Sequence, residues 1–292
     1  RQLLTSYLYK KHEYILNGQG PRPFFWRAPT DNDYGANLPV RLKAWKEASY
    51  QEPKAESFQV TPGSNATTVK VTYRFPQTEA RWDITYKIYA SGVIKVDNRF
   101  MAEGDQAPMI PRVGLRMQLP ESFTDLTYYG RGPKENYRDR RTSQFIGEYA
   151  IPVKDMYEPY VRPQENNHRT DIYWCALTDK AQRGLLLIAD RTFELNASNY
   201  SLESMDSGDT IDNGTPRTEK THHRHLTDPL PEKMVDLFID YRMMGVGGDD
   251  SWGATAHEPY LIRPGKENAI EYSFSLVPFD KKEDYKYLIQ QY

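Results

Sequence analysis

Apolar and polar residues alternate along much of this chain. The clearest run covers residues 235–243, in which every second side chain is apolar. Five further stretches show the same period of two: residues 69–75, 82–88, 94–96, 113–119 and 270–276. This period predicts antiparallel strands with one buried face and one wetter face. Because strands clearly outnumber helices, the chain is predicted to be all-β, a large antiparallel β-sandwich with few short helices.

Two stretches are predicted to be helical. Apolar residues fall at helical spacing over residues 38–48, which predicts a short helix. The tail, residues 280–292, has an apolar helical face, and Asp280 and Glu283 have the spacing of a capping box. The tail is therefore either a docked C-terminal helix or a frayed end. With no internal repeat and no linker, residues 1–292 are interpreted as a single domain.

Composition and charge limit the classes of partner that the chain is expected to bind. The net charge is −2 over 292 residues, which gives no basis for binding nucleic acid or an anionic membrane. No long apolar run occurs, so no transmembrane helix is expected. The single Cys175 excludes an internal disulfide and does not decide between a cytoplasmic and a periplasmic protein. The 22 tyrosines suit sheet faces and contact with carbohydrate.

A glycine-rich loop follows the strand predicted over residues 235–243. Residues 245–253 hold four glycines, two aspartates and a tryptophan, so the backbone can turn tightly there. Its expected roles are loop shaping by the glycines, turn capping by the aspartates and ligand contact by the tryptophan: Gly247, Gly248, Asp249, Asp250 and Trp252. The alternative for Trp252 is a side chain that folds back into the core.

Two other polar stretches suggest a ligand site. Residues 128–140 combine two glycines, a proline and six charges, which predicts a surface loop and not a strand. Glycines can hinge such a loop beside a ligand. Residues 155–170 are rich in aromatic, amide and acidic groups, which suit sugar hydroxyls and sugar faces.

The sequence gives little support for a catalytic residue or a metal ligand. Glycosidases need two carboxylates across one sugar bond, and Glu135 and Glu165 are the tempting pair, but nothing in the sequence shows that they converge. Residues 222–225, His-His-Arg-His, contain three histidines that could act as ligands of a metal ion. No cysteine or acidic partner stands at a recognised ligand spacing, so a polar hydrogen-bonding role is favoured. We therefore assign no catalytic residue and no metal site.

Several motifs occur together in one order along the chain. They are Arg27-Ala-Pro-Thr-Asp-Asn-Asp33, Gly130-Arg-Gly-Pro-Lys-Glu-Asn-Tyr137, Asp155-Met-Tyr-Glu-Pro-Tyr-Val161, Pro163-Gln-Glu-Asn166, Thr221-His-His-Arg-His-Leu226 and Met244-Gly-Val-Gly-Gly-Asp-Asp-Ser-Trp252. The ordered set resembles the C-terminal domain (small chain, domain 5) of glycoside hydrolase family 2 β-galactosidases. The resemblance implies an antiparallel supersandwich related to the galactose mutarotase fold. It also implies a parent enzyme that hydrolyses terminal β-D-galactosides such as lactose.

The resemblance further implies what lies elsewhere. The catalytic glutamates of the family lie on an upstream (β/α)₈ barrel, and the ligands of its magnesium and sodium ions are mainly upstream. This fragment alone is therefore expected to be inactive and without a cofactor. Its expected partners are its own barrel, a β-galactoside or acceptor sugar, and further copies of the full-length protein. Since the chain starts at Arg1, we expect the domain to lack its first strand or two.

Site residues are carried over from the resemblance by motif position. Trp252 stands where the family stacks a tryptophan on the leaving (aglycone) sugar. In the family's mobile active-site loop, Gly132 is the expected hinge and Glu135 a conformational contact. Asn136 and Arg138 lie in the same loop, and Arg138 replaces an expected proline.

Two alternatives remain open at this point. One is a free-standing epimerase of the mutarotase type, which needs a histidine acid and a glutamate base in a concave face. Its candidate acids are His168, His223, His225 and His257. The other is a carbohydrate-binding or assembly module without sugar chemistry.

Overall fold

A computed structural model describes residues 2–104, 109–207, 225–250, 253–280 and 285–291. Within these ranges the strands are β1 (Leu8–Tyr9), β2 (His12–Glu13), β3 (Arg22–Phe24), β4 (Lys54–Thr61), β5 (Ala66–Phe75), β6 (Ala80–Tyr89), β7 (Ile94–Ala102), β8 (Arg112–Pro120), β9 (Asp125–Gly132), β10 (Phe145–Pro152), β11 (Arg169–Thr178), β12 (Gly184–Ser198), β13 (Met234–Met243) and β14 (Ile270–Phe279). The α-helices are α1 (Asp31–Gly35), α2 (Leu38–Arg41), α3 (Lys43–Tyr50), α4 (Leu202–Met205) and α5 (Tyr285–Ile289). Short 3-10 helices cover Leu16–Gly18, Pro76–Thr78, Val153–Asp155 and Glu258–Tyr260.

Twelve of these strands form one sheet, whose main path runs β10-β9-β11-β12-β14-β7-β6-β5-β4. The long strand β12 has different neighbours at its two ends. Residues 184–189 pair with β14, whereas residues 194–198 pair with β13. From β13 the sheet continues to β8 and β3, so it branches at β12. All pairings are antiparallel, and the sheet curls into a half-barrel, so the all-β antiparallel prediction is confirmed.

The main core fills the inside of the curled sheet, as the period of two predicts. On β6 and β7 the buried side chains are every second residue. An aromatic cluster closes one end of this core. Phe25 stands at its centre, with ring centroids 5.0–5.6 Å from the rings of four neighbours: Trp45, Phe75, Trp82 and Phe100. Phe25 itself is fully buried.

Two local predictions need correction. The helix predicted over residues 38–48 is interrupted at Leu42, whose φ of −112° separates α2 from α3. Residues 128–132, predicted to be surface loop, form the end of β9. Gly130 is needed there for close packing, because an added Cβ would lie 2.5 Å from Ile172 Cδ1. Glycine density was misread as a turn signal at this position.

The C-terminal tail packs against the outside of the sheet through a short helix. Within the tail, α5 packs Tyr285, Leu288 and Ile289 against a second, smaller apolar cluster that contains Trp174 and Phe279. The suggested capping partner of Asp280 lies outside the described residues. No helix in the described ranges is long and apolar enough to cross a membrane.

Replacing Phe25 by Ala should destabilise the protein by about 3–5 kcal/mol, because it removes the centre of the aromatic cluster and leaves a cavity. The measurement is urea unfolding followed by tryptophan fluorescence and circular dichroism. Phe58→Ala is the matched control, since Phe58 is 48 % exposed on the edge strand β4. Equal losses for the two variants would contradict this description of the core.

Candidate functional site

The outer face of β8, β12 and β13 carries polar and charged side chains. Period two predicts this face to be the wetter one, and the structure corrects that prediction. Its side chains are almost fully buried: Arg112, Arg116, Glu194, Asn196, Asp236 and Asp240. The covering segments are residues 24–33, 135–140 and 164–169 together with α4, as the hydrogen bonds to this face show. Buried charges require partners, and this face supplies them in pairs.

Two arginines on β8 face two aspartates on β13. Arg116 binds Asp236 through two hydrogen bonds of 2.8 and 2.7 Å, and its outer side binds Glu203 of α4. Arg112 Nε lies 3.1 Å from Asp240 Oδ2. The pKa of Asp240 is raised to about 7, because the effect of burial outweighs the lowering by the nearby Arg112 and His168 cations.

His168 is held between two side chains of β12. Its Nδ1 lies 2.6 Å from Asn196 Oδ1, and its Nε2 lies 2.9 Å from Glu194 Oε2. Both partners are acceptors, so a doubly protonated imidazole satisfies both. Burial lowers the pKa of His168, but the bond to Glu194 and its charge outweigh that effect, and the net pKa is raised.

His168 and Glu194 do bring a histidine and a glutamate together, as the epimerase alternative requires. Their side chains are 0 % and 1 % exposed, however, and each is fully used by internal partners. A cavity beside them, lined in part by Arg112, Glu165 and Asn196, has only about 30 Å³. That volume holds water and no sugar. The pair is therefore a structural ion pair in this structure.

The segment that carries Glu135, Asn136 and Arg138 is fastened on to this polar face. Asn136 is fully buried; its Oδ1 accepts hydrogen bonds from the amide and the hydroxyl of Thr170. Arg138 Nε donates to Glu194 Oε1 at 2.6 Å. The residue that stands in place of an expected proline thus forms an ion pair with a buried carboxylate.

Glu135 and Glu165 are both engaged by neighbouring groups. Glu135 accepts from Arg140 at 2.6 Å, from the amide of Asn167 at 2.8 Å and from the hydroxyl of Tyr160. Glu165 accepts from Asn196 Nδ2 at 2.9 Å. Glu165 lines the cavity of about 30 Å³ described above, which is too small for a sugar. At Gly132, an added Cβ would lie 2.2 Å from Tyr128 Oη, so only glycine fits; its hinge role stays a prediction.

The base of the glycine-rich loop is clamped from two sides. From one side, Arg27 donates to the carbonyls of Met244 and Gly245 at 2.8 and 3.1 Å. From the other, Asp139 accepts from the amides of Val246 and Gly247 at 3.0 and 2.8 Å. Asn32 adds a bond of 3.0 Å to the carbonyl of Val246. Arg27 is itself fixed by two hydrogen bonds to Asp33, which caps α1.

Residues 247–250 continue the glycine-rich loop beyond this clamp. Gly247 and Gly248 have φ of +73° and +121°, a region that favours glycine. The carboxylate of Asp250 accepts from the amide of Ala254 at 3.2 Å, and Asp249 pairs with His257 at the surface. Trp252 lies outside the described residues, as do two histidines of the His-His-Arg-His run, His222 and His223.

Among the described residues, no three His, Cys, Asp or Glu side chains converge as ligands of one ion. The expectation that the magnesium and sodium ions bind mainly to upstream domains stays a prediction.

The sequence comparisons decide the family. A family model described as the β-galactosidase small chain matches residues 1–276. The chain belongs to the β-galactosidase small-chain family. The small chain is 34 % identical to a β-galactosidase of Priestia megaterium over 257 residues, which are 88 % of this chain and 23 % of that protein. It is 33 % identical to one of Lactobacillus delbrueckii subsp. bulgaricus, over 91 % of this chain and 24 % of that protein.

The small chain thus spans about a quarter of the length of these relatives. Among solved structures, similar folds include a GalM/aldose epimerase homologue from C. elegans and a galactose 1-epimerase from Lactobacillus acidophilus. The TM-scores are 0.42 and 0.41, the sequence identities 10 % and 6 %, and the matches cover 96 % and 77 % of the small chain and 81 % and 66 % of the respective structures. These likenesses concern the fold alone.

Replacing Asp240 by Asn should change how the stability of the small chain depends on pH. The folded protein retains a proton on Asp240 up to about pH 7, whereas the unfolded chain releases it near 3.8. Between these values the free energy of unfolding of the wild type should therefore fall as pH rises, by up to ~4 kcal/mol from this group. Urea titrations across the interval measure it. The exposed Asp125→Asn serves as control, and parallel pH curves for wild type and Asp240→Asn would refute the assignment.

Proposed function

We propose that this chain is the C-terminal domain of a β-galactosidase and that it completes an active site whose catalytic groups lie on an upstream barrel. The parent enzyme hydrolyses terminal β-D-galactosides such as lactose. In this proposal Trp252 stacks on the leaving sugar and residues 132–139 form the mobile loop beside it. Stacking orients the sugar without taking part in bond chemistry.

The clamp at the base of the glycine-rich loop carries the proposal. Five hydrogen bonds from Arg27, Asn32 and Asp139 reach the backbone of residues 244–247. A surface turn does not need support from so many hydrogen bonds, whereas a loop that presents an aromatic ring does, because a misplaced ring loses its stacking partner. Family membership and the position of Trp252 in the family's motif add to this support.

The clamp also couples the two loops that the proposal assigns to the active site. Asp139, at the end of the mobile loop, holds Val246 and Gly247. Its neighbour Arg138 binds Glu194, which accepts from the amide of Met243 at the entrance to the glycine-rich loop. Closure of residues 132–139 therefore acts on the strand end and the loop that carry Trp252.

The bonding of Glu135 supports a conformational and not a catalytic role for this residue. Its carboxylate links Arg140, Tyr160 and Asn167, three residues that all follow the mobile loop in the sequence. In the proposal, the acid and the nucleophile come from the barrel, as do most ligands of the magnesium and sodium ions. The other proposed partners are a β-galactoside or acceptor sugar and further copies of the full-length enzyme.

Trp252→Ala in the parent enzyme should raise KM for lactose and weaken transfer to acceptor sugars. The loss of stacking is about 1–3 kcal/mol, so the effect on kcat/KM should be roughly 5- to 150-fold. Nitrophenyl β-galactoside should be affected less, and Trp252→Phe should retain much of the lactose activity. Steady-state kinetics with both substrates measure this. Equal losses on the two substrates would rule out stacking on the leaving sugar.

Asp139→Asn should also lower the activity on lactose, because Val246 and Gly247 each donate to a different carboxylate oxygen and asparagine replaces one of these oxygens by an NH2 donor. The expected loss in kcat/KM for lactose is on the order of tenfold, from one charge-assisted hydrogen bond. In the double variant with Trp252→Ala, Asp139→Asn should lower kcat/KM for lactose little further, since both changes act on the position of the Trp252 ring. Asp125→Asn, on the exposed end of β9, is the matched control. Full additivity of the two changes would contradict positioning through the clamp.

A further inference from the structure

A second site lies where the sheet branches, between β12, β13 and β14. Residues 190–193 of β12 pair with neither β13 nor β14, since pairing with β14 stops at Ala189 and pairing with β13 starts at Glu194. A register shift on β13 between Asp240 and Arg242 increases the divergence. The strands therefore separate and leave a cavity of about 530 Å³. This volume falls in the range of small-molecule sites.

The acidic residues that line this cavity are already neutralised. Each is bound by a basic side chain that is not part of the lining: Asp171 by Arg131 and Arg141, Asp190 by Lys95, and Glu271 by Arg99. Of the lining arginines, Arg138 is paired with Glu194. The charge balance of the cavity is therefore decided by its two other arginines.

Arg191 and Arg242 have no ion-pair partner in the part of the chain that the structure describes. Of the three guanidinium nitrogens of Arg242 only Nε is buried, without an acceptor among those residues, so the N–H groups of its two Nη atoms are the ones open to the cavity. Its guanidinium lies 5.2 Å from the ring centroid of Tyr241, which also lines the cavity. An arginine held against an aromatic ring presents its free N–H edge in a fixed direction, which suits a carboxylate.

We propose that this cavity binds a saccharide that carries a carboxylate, such as a hexuronic acid unit. The carboxylate is received by Arg242, with Arg191 adding positive charge at the mouth. The half-buried ring of Tyr241 offers a face to the sugar ring, and the hydroxyls of Thr192 and Ser273 match its hydroxyl groups. The proposal makes no use of Trp252 and does not rest on the proposed function, although Arg138 of the mobile loop also lines the cavity.

The test compares two sugars that differ only at C6: D-galacturonate, a carboxylate, and D-galactose, a neutral alcohol. Binding to the full 292-residue chain is measured by saturation-transfer NMR and titration calorimetry at low ionic strength. We expect galacturonate to bind at least roughly tenfold more tightly than galactose, since only the carboxylate reaches the arginine in a charge-assisted bond. Equal affinities, or no binding of galacturonate, would overturn the proposal.

Variants locate the site. Arg242→Gln should weaken galacturonate binding by roughly tenfold or more, and Arg242→Lys by less, because lysine keeps the charge and loses the paired N–H geometry. Arg74→Gln is the matched control, since Arg74 forms an exposed pair with Glu56 on another part of the sheet. Circular dichroism and urea unfolding verify that each variant folds. Unchanged affinity in a folded Arg242→Gln variant would place binding elsewhere and refute the proposal.

Discussion

The carboxylate of Glu194 joins four separate segments of this chain. It accepts from Arg138 in the mobile-loop segment, from His168 before β11, and from the amide of Met243 at the end of β13. Glu194 itself lies on β12, where the sheet branches. Removing a carboxylate from water costs several kcal/mol unless it is paired. The path of the covering loops is therefore fixed by the requirement to neutralise this one group, and its pKa is lowered despite the burial.

The same requirement explains why residues 135–140 and the base of the glycine-rich loop are held on a polar face and not on the apolar core. An apolar contact can slide, whereas hydrogen bonds from Arg27, Asn32 and Asp139 fix the direction of the backbone that they hold. A ring presented to a sugar depends on such direction. The polar face of β8, β12 and β13 thus acts as a rigid support for the loops that cover it.

The strands were predictable because burial inside a curled antiparallel sheet leaves a period of two in the sequence. The burial of the outer face of β8, β12 and β13 was not predictable, because charged residues at alternate positions are also typical of a solvent-exposed face. A usable signal does exist: Arg112 and Arg116 are four residues apart on one strand, as are Asp236 and Asp240 on another. Complementary charges at equal spacing indicate two strands that neutralise each other. The motifs located the loops, but only the folded chain shows that Asp139 holds the glycine-rich loop.

The most direct test of the central claim is hydrolysis of nitrophenyl β-galactoside by this chain, alone and after mixing with the remainder of its parent protein. We expect no hydrolysis by the chain alone and activity on mixing, because in the proposed function the catalytic groups lie on the upstream barrel. Hydrolysis by the chain alone, with a Glu135→Gln, Glu165→Gln double variant inactive as the control against contamination, would contradict the account. It would make these two glutamates the catalytic pair.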